Sequence, residues 1–403
     1  MRWTRVAGAV AATLFICAQA PAPENPVIAH YRAYRTALDA GDLATAETEA
    51  DAALQASVAR SGQGGRTGVL ALNLAQVRLQ RGRVAEAYAP ALQAFEASQN
   101  SASGVDPLLA RLTLGRAELT DDRYRQARER LMPALTEANA RPDLFPDAYN
   151  AAADLGRRLM RENSYAQGAS AWREALTFAD RVEGDSTYVR AEARLGFGIA
   201  QLSYATHRYR MQGERSFDTN IHVDLEEEFG PARRALIEAA GIVRPLAYQQ
   251  GQTQDLTPAQ SIFGTAVAWR MMLDSYLLSN DQRVTLNTLR GDEARARAEE
   301  DISAPSRGSG PQCEVELIAE PRPNFPAQAQ SYFSGGALVT RVTLDANGQV
   351  SDTRVAAAVP ERWFAEAVSR VAPQWTIRRL PDSLPNCQMP PLMFQSWVFY
   401  FRN

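Results

Sequence analysis

The chain has no lysine: all 43 of its basic side chains, in 403 residues, are arginine. That absence excludes the lysine of a phosphate-binding loop, every Schiff-base mechanism and every lysine general base. Histidine and cysteine are nearly as scarce, with His30, His207 and His222 against Cys17, Cys313 and Cys387. The histidines lack the i, i+4 spacing of metalloproteases and have no cysteine partner, so neither metal nor cofactor is expected. Serine, aspartate and glutamate are scattered without nucleophile–base spacing, and no enzyme is expected. An excess of positive charge is also missing. The net charge of −3 leaves no electrostatic footprint for nucleic acid. What is present is ordinary globular composition, 45% hydrophobic and 22% charged, which excludes disorder throughout and a polytopic membrane protein. The length suits two or three domains.

Residues 1–20 read as an export signal. Arg2 and Arg5 precede an uncharged run, Val6 to Cys17, and Ala18-Gln19-Ala20 has the small-x-small form of a cleavage site. The run is shorter than the roughly 20 residues that span a bilayer. The alternative is a retained N-terminal anchor in the inner membrane, because Pro21 directly after the cut obstructs cleavage. The bulky Ile16 before Cys17 does not suit a lipoprotein. Export places the chain in the periplasm, where Cys313 and Cys387, the two cysteines outside the signal, are expected to form a disulfide across 74 positions.

Residues 27–280 read as helical hairpins. Gly41-Asp42-Leu43, Gly82-Arg83-Val84, Asp122-Arg123-Tyr124 and Asn163-Ser164-Tyr165 are turns 41, 40 and 41 positions apart. Small residues follow at fixed offsets: Ala46 and Ala53, Ala87 and Ala94, Ala127 and Ala134, Gly168 and Ala175. Leu-Gly pairs recur at Leu114-Gly115, Leu155-Gly156 and Leu195-Gly196. A fixed period of this length means a stacked array in which each hairpin needs its neighbour. Small residues let paired helices approach closely. Gly62-Gln63-Gly64-Gly65 is expected to be a loop, residues 206–225 an inserted loop, and Pro258–Asn280 the helix that caps the array. The pattern resembles the tetratricopeptide repeat family, with a longer period than that family's roughly 34 residues. The resemblance implies a groove that binds proteins. Arg78, Arg116 and Arg157 recur at similar positions of successive first helices, 38 and 41 apart. They are expected to anchor acidic or C-terminal segments in that groove, the alternative being that they solvate the convex face.

A charged helix and a Ser/Gly/Pro linker, residues 281–311, separate the array from an expected small α+β domain, residues 312–403. Gly336 to Leu344 alternates as a strand, Asp345-Ala346-Asn347-Gly348 is a hairpin turn, and Val350 to Val359 returns. A short helix from 361 to 371 and strands at 375–380 and 394–402 follow. The order resembles the C-terminal domain of the TonB energy-transducer family. The residues that carry this are Phe325 and Pro326 in Pro323-Asn324-Phe325-Pro326, Gly336, Asp345, Gly348 and Trp375, with phenylalanine where that family has tyrosine.

The fold expected is therefore mainly α, an α-solenoid followed by a small antiparallel sheet. The resemblance implies that the last strand, through Gln395, Trp397, Phe399 and Phe401, accepts a partner peptide as an added strand or pairs with a second copy. The function expected is a periplasmic adaptor for protein or peptide partners in the cell envelope. The alternative is an inner-membrane transducer acting on outer-membrane receptors in transport.

Overall fold

A computed structural model describes residues 25–62, 65–120, 122–184, 186–215, 225–249, 255–280, 313, 315–318, 324, 335–345, 349–359, 363–381, 386–387 and 392–400. The expected export signal, the linker, and Phe325, Pro326, Gly348 and Phe401 lie outside the described residues.

Eleven helices among these residues precede the strands: α1 Pro26–Asp39, α2 Leu43–Ser61, α3 Gly65–Gln80, α4 Val84–Ser98, α5 Pro107–Ala117, α6 Tyr124–Ala138, α7 Phe145–Arg161, α8 Tyr165–Ala179, α9 Thr187–Arg215, α10 Leu225–Ala247 and α11 Pro258–Asn280. Three of the four periodic turns close identically. Gly41, Gly82 and Asn163 have φ of 74°, 72° and 56°. In each case the next residue's N–H reaches back five positions: Asp42 to Ala37, Arg83 to Arg78, Ser164 to Leu159. Glycine, and to a lesser degree asparagine, tolerates this left-handed helix stop. The fourth turn is made differently, with Thr120 Oγ1 donating to Asp122 Oδ1 at 2.7 Å. At the other ends, Asp42 accepts from Thr45 N–H, and Asp106 accepts from Leu108 and Leu109 N–H, so a side chain satisfies donors that a helix start leaves open.

The chain divides into two compact units, Met1–Arg83 with Ala89–Val105, and Val84–Tyr88 with Asp106–Asn403. In the first, α2 packs against both α1 and α3. In the second, each helix from α5 to α11 packs on the next, and α5, α7, α9 and α11 also touch in succession. The periodic alanines are the contact points: Ala46, Ala87, Ala94, Ala127, Ala134 and Ala175 are wholly buried. The Leu-Gly pairs receive large neighbours. A Cβ on Gly115 would lie 2.5 Å from Leu131, and Cβ atoms on Gly156 and Gly196 would lie 2.7 and 2.3 Å from the Trp172 indole. Trp172 of α8 is thus seated between glycines of α7 and α9.

Of the expected loop at Gly62–Gly65, Gly62 ends α2 with φ of 68° and Gly65 begins α3. The expected loop at 206–225 is corrected over its first part. His207 to Arg210 continue α9, which runs 29 residues to Arg215 with Gly213 inside it. His207 packs its ring 5.4 Å from that of Tyr165.

The C-terminal elements are β1 Val315–Ile318, β2 Gly335–Leu344, β3 Val350–Val359, α12 Trp363–Ser369, β4 Thr376–Arg379 and β5 Leu392–Tyr400. The order β3-β2-β5 forms one antiparallel sheet, and β1 with β4 a separate two-stranded ribbon. β1 went unread in the sequence, being four residues long. Cys313 and Cys387 are bonded, with Cα atoms 4.8 Å apart, and tie the start of β1 to the segment before β5.

The small domain does not stand apart from the helices. One face of its sheet, with Ala337, Val339, Val359, Leu392 and Phe394, shares a core with Phe263, Val267 and Met271 of α11 and Val243 of α10. The other face places Leu338 and Trp397 against Phe364 and Val368 of α12 and against Trp375. α11, Pro258–Asn280, ends the row of helices as expected, and the sheet packs on it. Gly336 makes room for the α12 layer, because a Cβ there would lie 2.4 Å from the Phe364 ring. A bulge fits β3 to α11. Val339 pairs with Ala357 but Thr340 pairs with Val355, leaving Ala356 extra. Two adjacent alanines, Ala356 and Ala357, then both reach the α11 core.

Candidate interaction surfaces

The recurring arginines do form a series, and each is engaged within the chain. In the first unit, Arg78 Nε donates to Glu47 Oε1 at 3.0 Å and Arg83 Nη1 to the same oxygen at 2.6 Å, while Arg81 bonds Oε2. Glu47 is almost completely buried. Burial pushes its carboxyl up, and the hydrogen bonds from Arg83, Arg78 and Arg81 outweigh this and hold it below the usual range.

In the second unit the series runs along the first helices of successive hairpins. Arg116 of α5 donates to Asp154 of α7 at 2.8 Å. Arg157 of α7 donates to Asp154 at 2.7 Å and to Glu192 of α9 at 2.8 Å, with its guanidinium 5.5 Å from the Trp172 ring. Tyr149 donates to Glu192 at 3.1 Å, and burial followed by the Glu192 charge pushes its phenol up. Arg194 of α9 continues to Glu238 of α10 at 2.9 Å. These arginines staple hairpin to hairpin. The carboxylate partners sit 35 to 44 positions downstream, about one repeat on, and that periodicity was legible in the sequence without being used. Arg157 and Glu192 are the open part of the row, at 45% and 46% exposure, against 12% at Arg116 and 17% at Arg194.

Among the described residues the last strand, β5, is an edge of its sheet, in the order β3-β2-β5. β5 carries no charged residue, proline or glycine, whereas β3, at the opposite edge, carries Asp352, Arg354 and a bulge. An uncharged edge is a template for pairing. Yet Phe394, Gln395, Ser396 and Trp397 are all buried, Ser396 completely, so this stretch is not presented to solvent. Gln395 and Trp397 act here as core, with Trp397 stacked 5.1 Å from Trp375. Phe399 takes part in the ladder opposite Gly336.

Sequence reasoning missed Arg341 altogether. It is a buried cation in the central strand, donating to the Asp255 carbonyl at 3.2 Å, to Gln260 Oε1 at 3.0 Å and to Asp352 at 3.3 Å. Its signal was a lone charge within an apolar strand. Among the described residues no group of three or more His, Cys, Asp or Glu could hold a metal ion, and no helix is long and apolar enough to cross a membrane.

No family model matches the chain, and no curated protein does. Similar solved structures include a tetratricopeptide repeat protein from Parabacteroides merdae, at 14% identity and TM-score 0.28, over 68% of this chain and 98% of that one. Another is the assembly chaperone of RpL4 (Acl4), at 15% identity and TM-score 0.31, over 68% of this chain and 97% of that one.

Proposed function

We propose that the chain is a non-catalytic protein-interaction adaptor of the cell envelope, working in the periplasm. The observation that carries this reading is the row Arg116, Asp154, Arg157 and Glu192 on α5, α7 and α9. It is half exposed at its later members and already ordered by ion pairs within the chain. A partner meeting an ordered charged surface loses less side-chain entropy on binding. Both signs of charge are presented, so the partner is itself a polar protein surface or segment with spaced charges. The disulfide is consistent with an oxidising compartment. Addition of a partner strand to the TonB-like sheet is restricted in this reading to β5 beyond Trp397, since the stretch before it is buried.

A photocrosslinking residue at Glu192, and separately at exposed Met132 of α6, tests the surface in the exporting cell. The row predicts protein adducts at 192 and not at 132. Adducts at neither position, or equally at both, count against it. A Val398→Pro variant tests the strand in parallel, because proline removes a ladder donor. Loss of adducts in that variant would put the contact at β5 instead.

A further inference from the structure

We infer that the outer face of α1 docks on the same face of a second copy of the chain, the two helices running antiparallel. This goes beyond the adaptor reading and concerns a surface separate from the charged row. Ile28, Tyr31, Arg35 and Asp39 fall at i, i+3, i+7 and i+11 of α1, one stripe of the helix. All four are exposed, while Tyr34 and Ala37, on the opposite side, are buried. Ile28 is 45% and Tyr31 36% exposed, and large apolar side chains at this level are few elsewhere among the described residues. Leu38, on the flank of the stripe, is half-buried. A hairpin at the end of an array ordinarily turns a polar face outward, because no neighbour covers it. Here the half of the stripe nearest the start of α1 is apolar.

The charges on the stripe select the occupant. Arg35 and Asp39 lie one turn apart, yet among the described residues neither closes an ion pair, arginine before acid being the less favourable order. Arg32, on the other flank, is already engaged within the chain, and the contact asks nothing of it. Asp39 sits in the last turn of α1, where the carbonyl end of a helix disfavours an acid, and α1 has no base in that turn and no acid in its first turn. An antiparallel copy meets each of these features with its counterpart. With the two-fold axis crossing near Ala33, Tyr31 faces Arg35 of the second copy, Ile28 faces its Leu38, and Asp39 faces the first turn of its α1. These are a guanidinium on a tyrosine ring, aliphatic against aliphatic, and an acid at the positive end of a helix. The stripe is therefore self-complementary, as an isologous contact requires. An anionic lipid surface would instead be repelled by Asp39. A dimer of this kind carries two charged rows, so a partner with two matching segments gains avidity.

Sedimentation velocity of the purified full chain over a wide concentration range tests the contact, and a monomer–dimer equilibrium is expected. Ile28→Asp should weaken the dimer roughly 100-fold, because an isologous contact loses the apolar side chain twice. Met132→Asp, at an exposed position of α6, should leave it unchanged. Tyr31→Phe, which keeps the ring, should retain most of the affinity. The arrangement is read by mixing Tyr31→Cys chains with Arg35→Cys chains in a Cys17→Ser background and adding a short bismaleimide, to which the bonded Cys313 and Cys387 do not react. The mixture should give more crosslinked dimer than either variant alone. A chain that stays monomeric at every concentration, or a dimer that Ile28→Asp leaves intact, overturns the inference. Crosslinking as strong in one variant alone as in the mixture overturns the antiparallel contact. A monomer in which a fluorophore on Ile28→Cys responds to phosphatidylglycerol vesicles would assign the face to lipid and overturn it as well. Each of these failures leaves the adaptor reading to its own crosslinking test.

Discussion

Arg341 Nη1 donates to Gln260 Oε1 at 3.0 Å, joining the central strand of the sheet to the first turn of α11 across 81 positions. Gln260 is itself committed three ways. Its oxygen also accepts from Thr257 N–H, its amide donates to the Ala247 carbonyl, and its backbone N–H donates to Thr257 Oγ1. Thr257 and Gln260 thus form the reciprocal cap of α11. The arginine that docks the sheet does so by completing a helix cap.

Replacing Arg341 by methionine should destabilise the second unit by about 1–3 kcal/mol, because the oxygen of buried Gln260 loses a donor. Urea denaturation would measure it. Hydrogen exchange should rise first at the start of α11. A loss no larger than that of an exposed arginine would mean that the sheet is held by apolar packing alone.

Gly264 of α11 and Ala356 of the β3 bulge form a second contact of the same interface. A Cβ on Gly264 would lie 2.5 Å from the Ala356 Cβ and 3.2 Å from its carbonyl carbon. Gly264→Ala is expected to cost about 1–3 kcal/mol despite its gain in helix propensity. Adding Ala356→Gly should recover much of that. A double-mutant cycle with no coupling would show that helix and sheet do not meet there.

Glu47 makes the first unit acid-sensitive. Its folded pKa is depressed, so its contribution is fully present above the unfolded value, roughly 4.3, and disappears as pH falls through the lower folded value. Glu47→Gln should be clearly less stable than the parent at pH 7. The gap between the two should close progressively below about pH 4. A gap independent of pH from 7 to 3 would mean that the three arginines do not depend on this charge.

The bond between Cys313 and Cys387 closes a loop of 74 positions. On the chain-entropy estimate its removal costs about 4–5 kcal/mol. Alkylation of denatured, unreduced chain should label neither cysteine, and a Cys313→Ser, Cys387→Ser variant should lose cooperativity first in the β1–β4 ribbon. Two labelled thiols in exported protein would contradict the bond and the compartment together.

The repeat was legible because its signals are local. A glycine or asparagine stops a helix through its own backbone, and an alanine or glycine at a fixed offset marks where the next helix must come close. Gly41, Gly82, Asn163 and the buried alanines needed no knowledge of distant residues. The strands β2 and β3 were legible for the same reason, from alternation and a hairpin turn. The four-residue β1 was not, since so short a strand exists only through its partner β4. The arginines were seen as a row, but their partners were not, because each lies on another helix about 40 positions away.

By itself the sequence determined the hairpins, their period, the pairing of β2 with β3 and the cysteine pair open to bonding. These depend on backbone preference and on spacing along one chain. The tertiary structure decided the rest. It placed the sheet on α11, buried Gln395 and Trp397 of β5, committed Arg116 and Arg157 to Asp154 and Glu192, and left Ile28 and Tyr31 facing outward. Each of those outcomes depends on which surfaces meet, and burial and charge compensation are properties of the meeting and not of either segment alone.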